Sequence, residues 1–174
     1  MRRTASALLV VAFALVTGSG LTAAEPPRTT PEDKGLALVT LTTLPDGWDG
    51  RTDLRPQLEV FGDASAHRYP DAVAPERDPD TPAKQVRGSV PKEALDEAIT
   101  EIRALAEVDL GIPTSADNNS GSQIIDVMPE NPGEDVHLIL YSPGNDEGLT
   151  DDHKAARERF ADVYRELIDA FKAE

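Results

Sequence analysis

The sequence predicts an α+β domain: an antiparallel sheet of four to six strands with two amphipathic helices packed on one face, in an order close to ββαββα. Three observations lead there. Apolar residues recur every three or four positions in two segments, 90–107 and 150–172. Stretches with the two-residue alternation of strands lie before and between those segments. A chain of 174 residues with no cysteine is long enough to bury one core without covalent staples.

The first 24 residues read as a secretory signal peptide. Met1-Arg2-Arg3 is a basic start, Ala5 to Val16 is apolar except for Ser6, and Thr17 to Gly20 is polar. Thr22-Ala23-Ala24 presents small residues for cleavage after Ala24. The apolar run is too short for a spanning helix, which needs about 20 residues. Leu21-Thr22-Ala23 looks like the front of a lipobox, but position 24 is Ala rather than the lipid-accepting Cys. The expectation is a secreted or extracytoplasmic, unlipidated monomer with no transmembrane segment after cleavage.

Residues 25–35 begin with a charged, Pro-rich stretch and read as a flexible linker, and 36–174 as a single domain. Leu36 to Leu44 is aliphatic and β-branched, hence a strand, with both alternating sets apolar enough that neither face is singled out. Pro45 to Pro56 is a loop with two Asp/Gly turn signals and the single tryptophan, Trp48. Gln57 to Tyr69 reads as a hairpin closed by a two-residue type II′ turn at Gly62-Asp63. Pro70 to Ala83 carries four prolines and four acids without periodicity and reads as a mobile, exposed acidic loop. Lys84 to Ser89 is a short edge strand.

Leu95, Ile99, Ile102 and Ala106 make the stripe of the central helix, widened by Ala98 and Leu105. Pro91 suits its first turn, and Val90 can staple onto Leu95. Gly111 and Pro113 stop it. Strands 123–128 and 136–141 follow, joined by a turn at Asn131-Pro132-Gly133, with Val136, Leu138 and Leu140 facing the helices. Thr150 caps the last helix, and Ala156, Phe160, Val163, Leu167 and Phe171 form its stripe.

Chemistry is harder to find. The formal charge is −15, which argues against nucleic acid and against anionic membranes, both of which need clustered Lys and Arg. A protein partner stays open. His67, His137 and His153 have no metal-ligand spacing. Ser120-Gly121-Ser122 with His137 does not match a nucleophile motif. Asp117, Asn119, Asp46 and Asp49 are the candidate oxygen ligands for calcium, although counting from Asp117 puts Gly at position 5 and Met128 at position 12, against the EF-hand pattern of Gly at 6 and Glu at 12. Turn formation explains these residues more cheaply. No cofactor and no catalytic residue is assigned.

The lipobox-like Leu21-Thr22-Ala23, the hairpin Leu58-Glu59-Val60-Phe61-Gly62-Asp63 and the path from Lys84-Gln85-Val86-Arg87 into Pro91-Lys92-Glu93-Ala94-Leu95 share a pattern with known proteins. Leu138-Ile139-Leu140-Tyr141 and Gly148-Leu149-Thr150 continue it. The chain thereby resembles a loose group of uncharacterised exported, lipoprotein-like small α+β proteins of high-GC Gram-positive bacteria. The resemblance implies fold and location and transfers no catalytic residue. Ala24 and the acidic insertion 70–83 depart from the group. The functional expectation is an exported non-enzymatic domain with a binding or envelope-associated role. Its alternatives are an extracellular inhibitor or partner-binding protein using loop 70–83, and a small secreted hydrolase.

Overall fold

The computed structural model describes residues 35–48, 50–115, 120–131 and 133–174. The expected signal peptide and nearly all of the linker lie outside them. In chain order the elements are β1 (Val39–Leu44), β2 (Leu58–Val60), β3 (Ser65–Arg68), β4 (Val86–Ser89), α1 (Lys92–Leu105), β5 (Ser122–Val127), β6 (Val136–Tyr141), α2 (Asp151–Ala170) and β7 (Lys172–Ala173). The strands form one sheet in the order β6-β5-β1-β2-β3-β4-β7, and every neighbouring pair is antiparallel. The fold is α+β as expected, with seven strands in place of four to six. No helix among the described residues is long and apolar enough to cross a membrane.

β1 lies inside the sheet, and its parity decides which face is buried. Val39 stands opposite Val60 and Val127, and Leu41 opposite Leu58 and Ile125. All six are fully buried. Residues directly opposite in an antiparallel pair share a face, so this set continues through Ala66 on β3 and Leu138 on β6. The ambiguity over residues 36–44 resolves to Ala37, Val39 and Leu41 inward, while Leu36 is 84% exposed.

Both helices close over that one face. Leu95, Ala98, Ile102 and Leu105 from α1 share a single core with Ala156, Phe160, Val163, Tyr164 and Leu167 from α2. The α1 stripe is rotated slightly from the expected one, with Ile99 half-buried and Ala106 exposed. Pro91 is the N-cap rather than a first-turn residue, and its carbonyl accepts the first helical bond from Leu95 N–H at 3.0 Å. Val90 and Leu95, the two staple positions, are both buried in the core. On α2, the Thr150 hydroxyl accepts from His153 N–H at 3.2 Å, as a capping residue should.

Two turns differ from expectation. The β2–β3 loop has three residues, Gly62 to Ala64, because Phe61 N–H donates to Ser65 O at 2.9 Å and Ala64 N–H to Phe61 O at 2.8 Å. Ala64 takes the left-handed conformation, φ 64°, and Gly62 does not. This is a type I turn closed by a left-handed residue rather than a type II′ turn. The second difference is β7. After Ala170 the chain turns extended at Phe171 and pairs with β4, placing Ala173 opposite Gly88. A Cβ on Gly88 would lie 2.1 Å from Lys172 O and 2.7 Å from the Phe171 ring, so only glycine lets the C-terminal segment dock.

The core also holds polar groups that apolar periodicity does not reveal. The Tyr164 hydroxyl lies 3.0 Å from Thr43 Oγ1 and donates to Gln57 Oε1 at 2.9 Å, and burial pushes its phenol pKa up. Arg157 has only 4% of its side chain exposed. Its guanidinium donates to the carbonyls of Tyr141 (2.8 Å), Ser142 (2.9 Å) and Asn145 (3.2 Å), and more loosely to Gly111 (3.4 Å). Desolvation lowers its pKa, and Asp146, 3.6 Å away, opposes that shift. One cation thus ties α2 to the end of β6 and to the loop after α1.

Truncating Phe160, which is fully buried, to alanine is expected to cost about 3–5 kcal/mol in a urea melt. A loss below about 1 kcal/mol would contradict its place in the core. Arg157→Met keeps the bulk of the side chain but strips donors from several carbonyls. It is expected to cost about 2–4 kcal/mol, while Asp146→Asn costs less than about 1 kcal/mol because Asp146 is half exposed.

Candidate functional site

The parity that sends Val39 and Leu41 inward sends a row of polar residues outward. On the sheet face away from the helices, register aligns His137, Asp126, Thr40, Glu59, His67 and Arg87, one from each of six consecutive strands. His137 Nδ1 is 2.5 Å from the Asp126 carboxylate, and the Thr40 hydroxyl donates to the same carboxylate at 3.2 Å. Tyr69 donates to Glu59 at 2.9 Å, and His67 Nδ1 is 3.6 Å from it. Burial and that bond to Glu59 push the Tyr69 phenol up to about 12. Within the row, Asp126 is thereby paired with His137 and Thr40, and Glu59 with His67, across neighbouring strands.

Beside the row, at one end of the same face, is a trough of about 760 Å³. Leu36, Leu38, Phe61, Met128 and Pro129 form its apolar lining, and Asp63, Glu130 and Asp135 stand at its rim. Leu38 is held between two strands, donating its N–H to Val60 O and accepting from Met128 N–H, both at 2.8 Å. Phe61 meets His67 edge-on at 5.0 Å, which joins the trough to the polar row. The volume falls in the range of about 300–1,000 Å³ that ligand sites occupy.

A third cluster ties two loops together. Arg51 forks onto Asp53 (2.8 and 2.5 Å) and lies 4.1 Å over the Trp48 ring. Arg77, only 5% exposed at its side chain, makes an ion pair with the same Asp53 and donates to Asp53 O at 3.0 Å and Thr81 O at 3.3 Å. Arg51 in turn donates to Arg77 O at 3.1 Å. Segment 70–83 differs from the mobile, exposed loop its composition suggests. Glu76, Asp78 and Asp80 are exposed, but Ala72 and Arg77 are buried and fasten the segment to the loop after β1.

The sequence-nominated residues are not brought together. Asp46 is exposed in the turn after β1, and Asp49, Asp117 and Asn119 lie outside the described residues. Among the described residues no group of three or more His, Asp or Glu could hold a metal ion. Ser122 is opposite Tyr141, four residues along β5 from the Asp126–His137 rung, about 13 Å away at 3.3 Å per residue. A Ser122–His137–Asp126 triad is therefore not formed. His153 packs against Gly111, with Nε2 3.5 Å from Asp109, far along the chain from the other histidines. The row and the trough escaped sequence reading because each strand contributes one or two residues. The only sequence signal was the polar half of each strand alternation.

No family model, curated protein or solved structure matches this chain.

The Arg51 hydrogen bonds, helped by the charges of Arg51 and Arg77, hold the Asp53 carboxyl well below the usual carboxylate range. A depressed pKa stabilises the folded form fully above the ordinary value of about 3.9 and loses that stabilisation as pH falls below it. Trp48 emission should therefore change on acidification through this window. In Asp53→Asn the change should already be present at neutral pH, with the acid transition lost. Identical acid titrations of the two proteins would contradict the clasp.

Proposed function

We propose that this protein is an exported, non-enzymatic binding domain that works through the sheet face away from its helices. The observation that carries this is the trough, an apolar lining open to ligand with carboxylates at its rim. The helices commit the opposite face to the core, so the outer face is the broad surface left for a partner. The signal-like residues 1–24 support an extracytoplasmic location. The His137–Asp126 pair has the orientation of an acid–base unit. Its carboxylate also accepts from the Thr40 hydroxyl, and Ser122, the nearest serine on β5, stands about 13 Å along the strand.

A second mode of binding is favoured by one observation. Inhibitor loops are usually rigid, and segment 70–83 is tied to the loop after β1 by the ion pair and hydrogen bond of Arg77 with Asp53. Amide hydrogen exchange separates the two modes. On addition of a cell-envelope extract, exchange is expected to slow in 36–41, 58–68 and 122–130, with α1 and α2 unchanged. Protection confined to 70–83 would favour the loop, and protection confined to the helices would reject both.

A further inference from the structure

We infer that the trough takes a peptide segment with an apolar centre and a cationic side chain on each flank; this rests on the outer face being the docking surface proposed above. The argument is one of charge and placement. β1 lies between β2 and β5 in the sheet. Leu38, just ahead of β1, therefore marks the middle of the trough. Asp63 follows β2 on one side, and Glu130 follows β5 on the other. Two strand spacings separate those sides, about 10 Å. Asp135, which precedes β6, adds to the β5 side. Asp63 already accepts from Ser65 N–H, and it contributes charge rather than a vacant partner.

No Lys or Arg is among the residues that line the trough, and the chain as a whole carries −15. That field steers cations to the face and repels anionic lipid. A neutral apolar ligand would bury the lining but strip water from the carboxylates without replacing it, which is costly. A single-headed amphiphile can meet one side of the rim only. A short extended peptide with Lys or Arg on both sides of two or three apolar residues meets both sides and fills the centre. Leu36, 84% exposed, is the apolar side chain with most surface to gain from such a partner.

The test is fluorescence anisotropy with labelled Lys-Leu-Val-Leu-Lys. Companion probes are Glu-Leu-Val-Leu-Glu, Lys-Ser-Ser-Ser-Lys and, as a competitor below its micelle concentration, dodecyltrimethylammonium. The Lys/Leu peptide is expected to bind, weakening with salt, and to lose about tenfold in affinity on Leu36→Asp and again on Glu130→Lys with Asp135→Lys. All three positions are exposed or at the rim, so the fold should survive, which a thermal melt verifies. Glu158→Lys with Asp169→Lys, on the exposed side of α2, changes net charge equally and should have little effect. Equal binding of the Lys/Ser peptide, or equal loss in the α2 control, would reduce the effect to diffuse electrostatics and overturn the inference. Equal binding of the Glu peptide would overturn the cationic partner. Displacement of the bound peptide by the amphiphile at a lower concentration than unlabelled Lys-Leu-Val-Leu-Lys requires would make the trough a small-molecule site and overturn the inference. No binding by the Lys/Leu peptide also overturns the inference, and the docking face itself is then judged by the exchange footprint alone.

Discussion

Everything in this fold depends on the register of β1 with its two neighbours. Val39 and Leu41 each meet an aliphatic residue on β2 and another on β5, and these six side chains floor the core. Strand side chains alternate with a period of two, so a slip of β1 by one residue would turn Val39 and Leu41 outward and put Thr40 and Thr42 under the helices. Hydroxyls buried there without partners, together with two aliphatics turned to water, would cost the core its floor. The core and the outer polar row are therefore one decision, made once and read on both sides of the sheet.

The second layer of the structure is cationic. Among the described residues of this acidic chain, two arginines are buried, and each satisfies groups that belong to loops. Arg157 collects carbonyls at the end of β6, where Ser142 adopts φ 50°, a backbone region that needs support. Arg77 meets Asp53 and brings two irregular segments together. Neither is a surface ion pair of the kind that contributes little; both fill donor positions that apolar residues could not. The loops consequently have defined shapes without disulfides.

That arrangement separates stability from recognition. The helices and the core lie on one side of the sheet, and the outer face carries the trough and the polar row. Residues at the trough, such as Leu36 and Glu130, can change without entering the core, which is the condition for a binding surface to diversify on a constant scaffold.

The sequence by itself determined the α+β class, both helices, the inward set on β6 and the hairpin's position, because each rests on local periodicity or a cap that needs only neighbours in the chain. Only the tertiary structure decided which set of β1 is buried, since both sets are apolar and the choice lies with β2 and β5. It alone decided the three-residue turn at Ala64, where Ser65 and Phe61 pair across the loop, and β7, a two-residue strand that exists because Gly88 leaves room for Phe171. The buried arginines, the His137–Asp126–Thr40–Glu59–His67–Arg87 row and the trough all draw on residues scattered over the chain. No window of sequence contains them, because register and packing, not proximity along the backbone, bring them together.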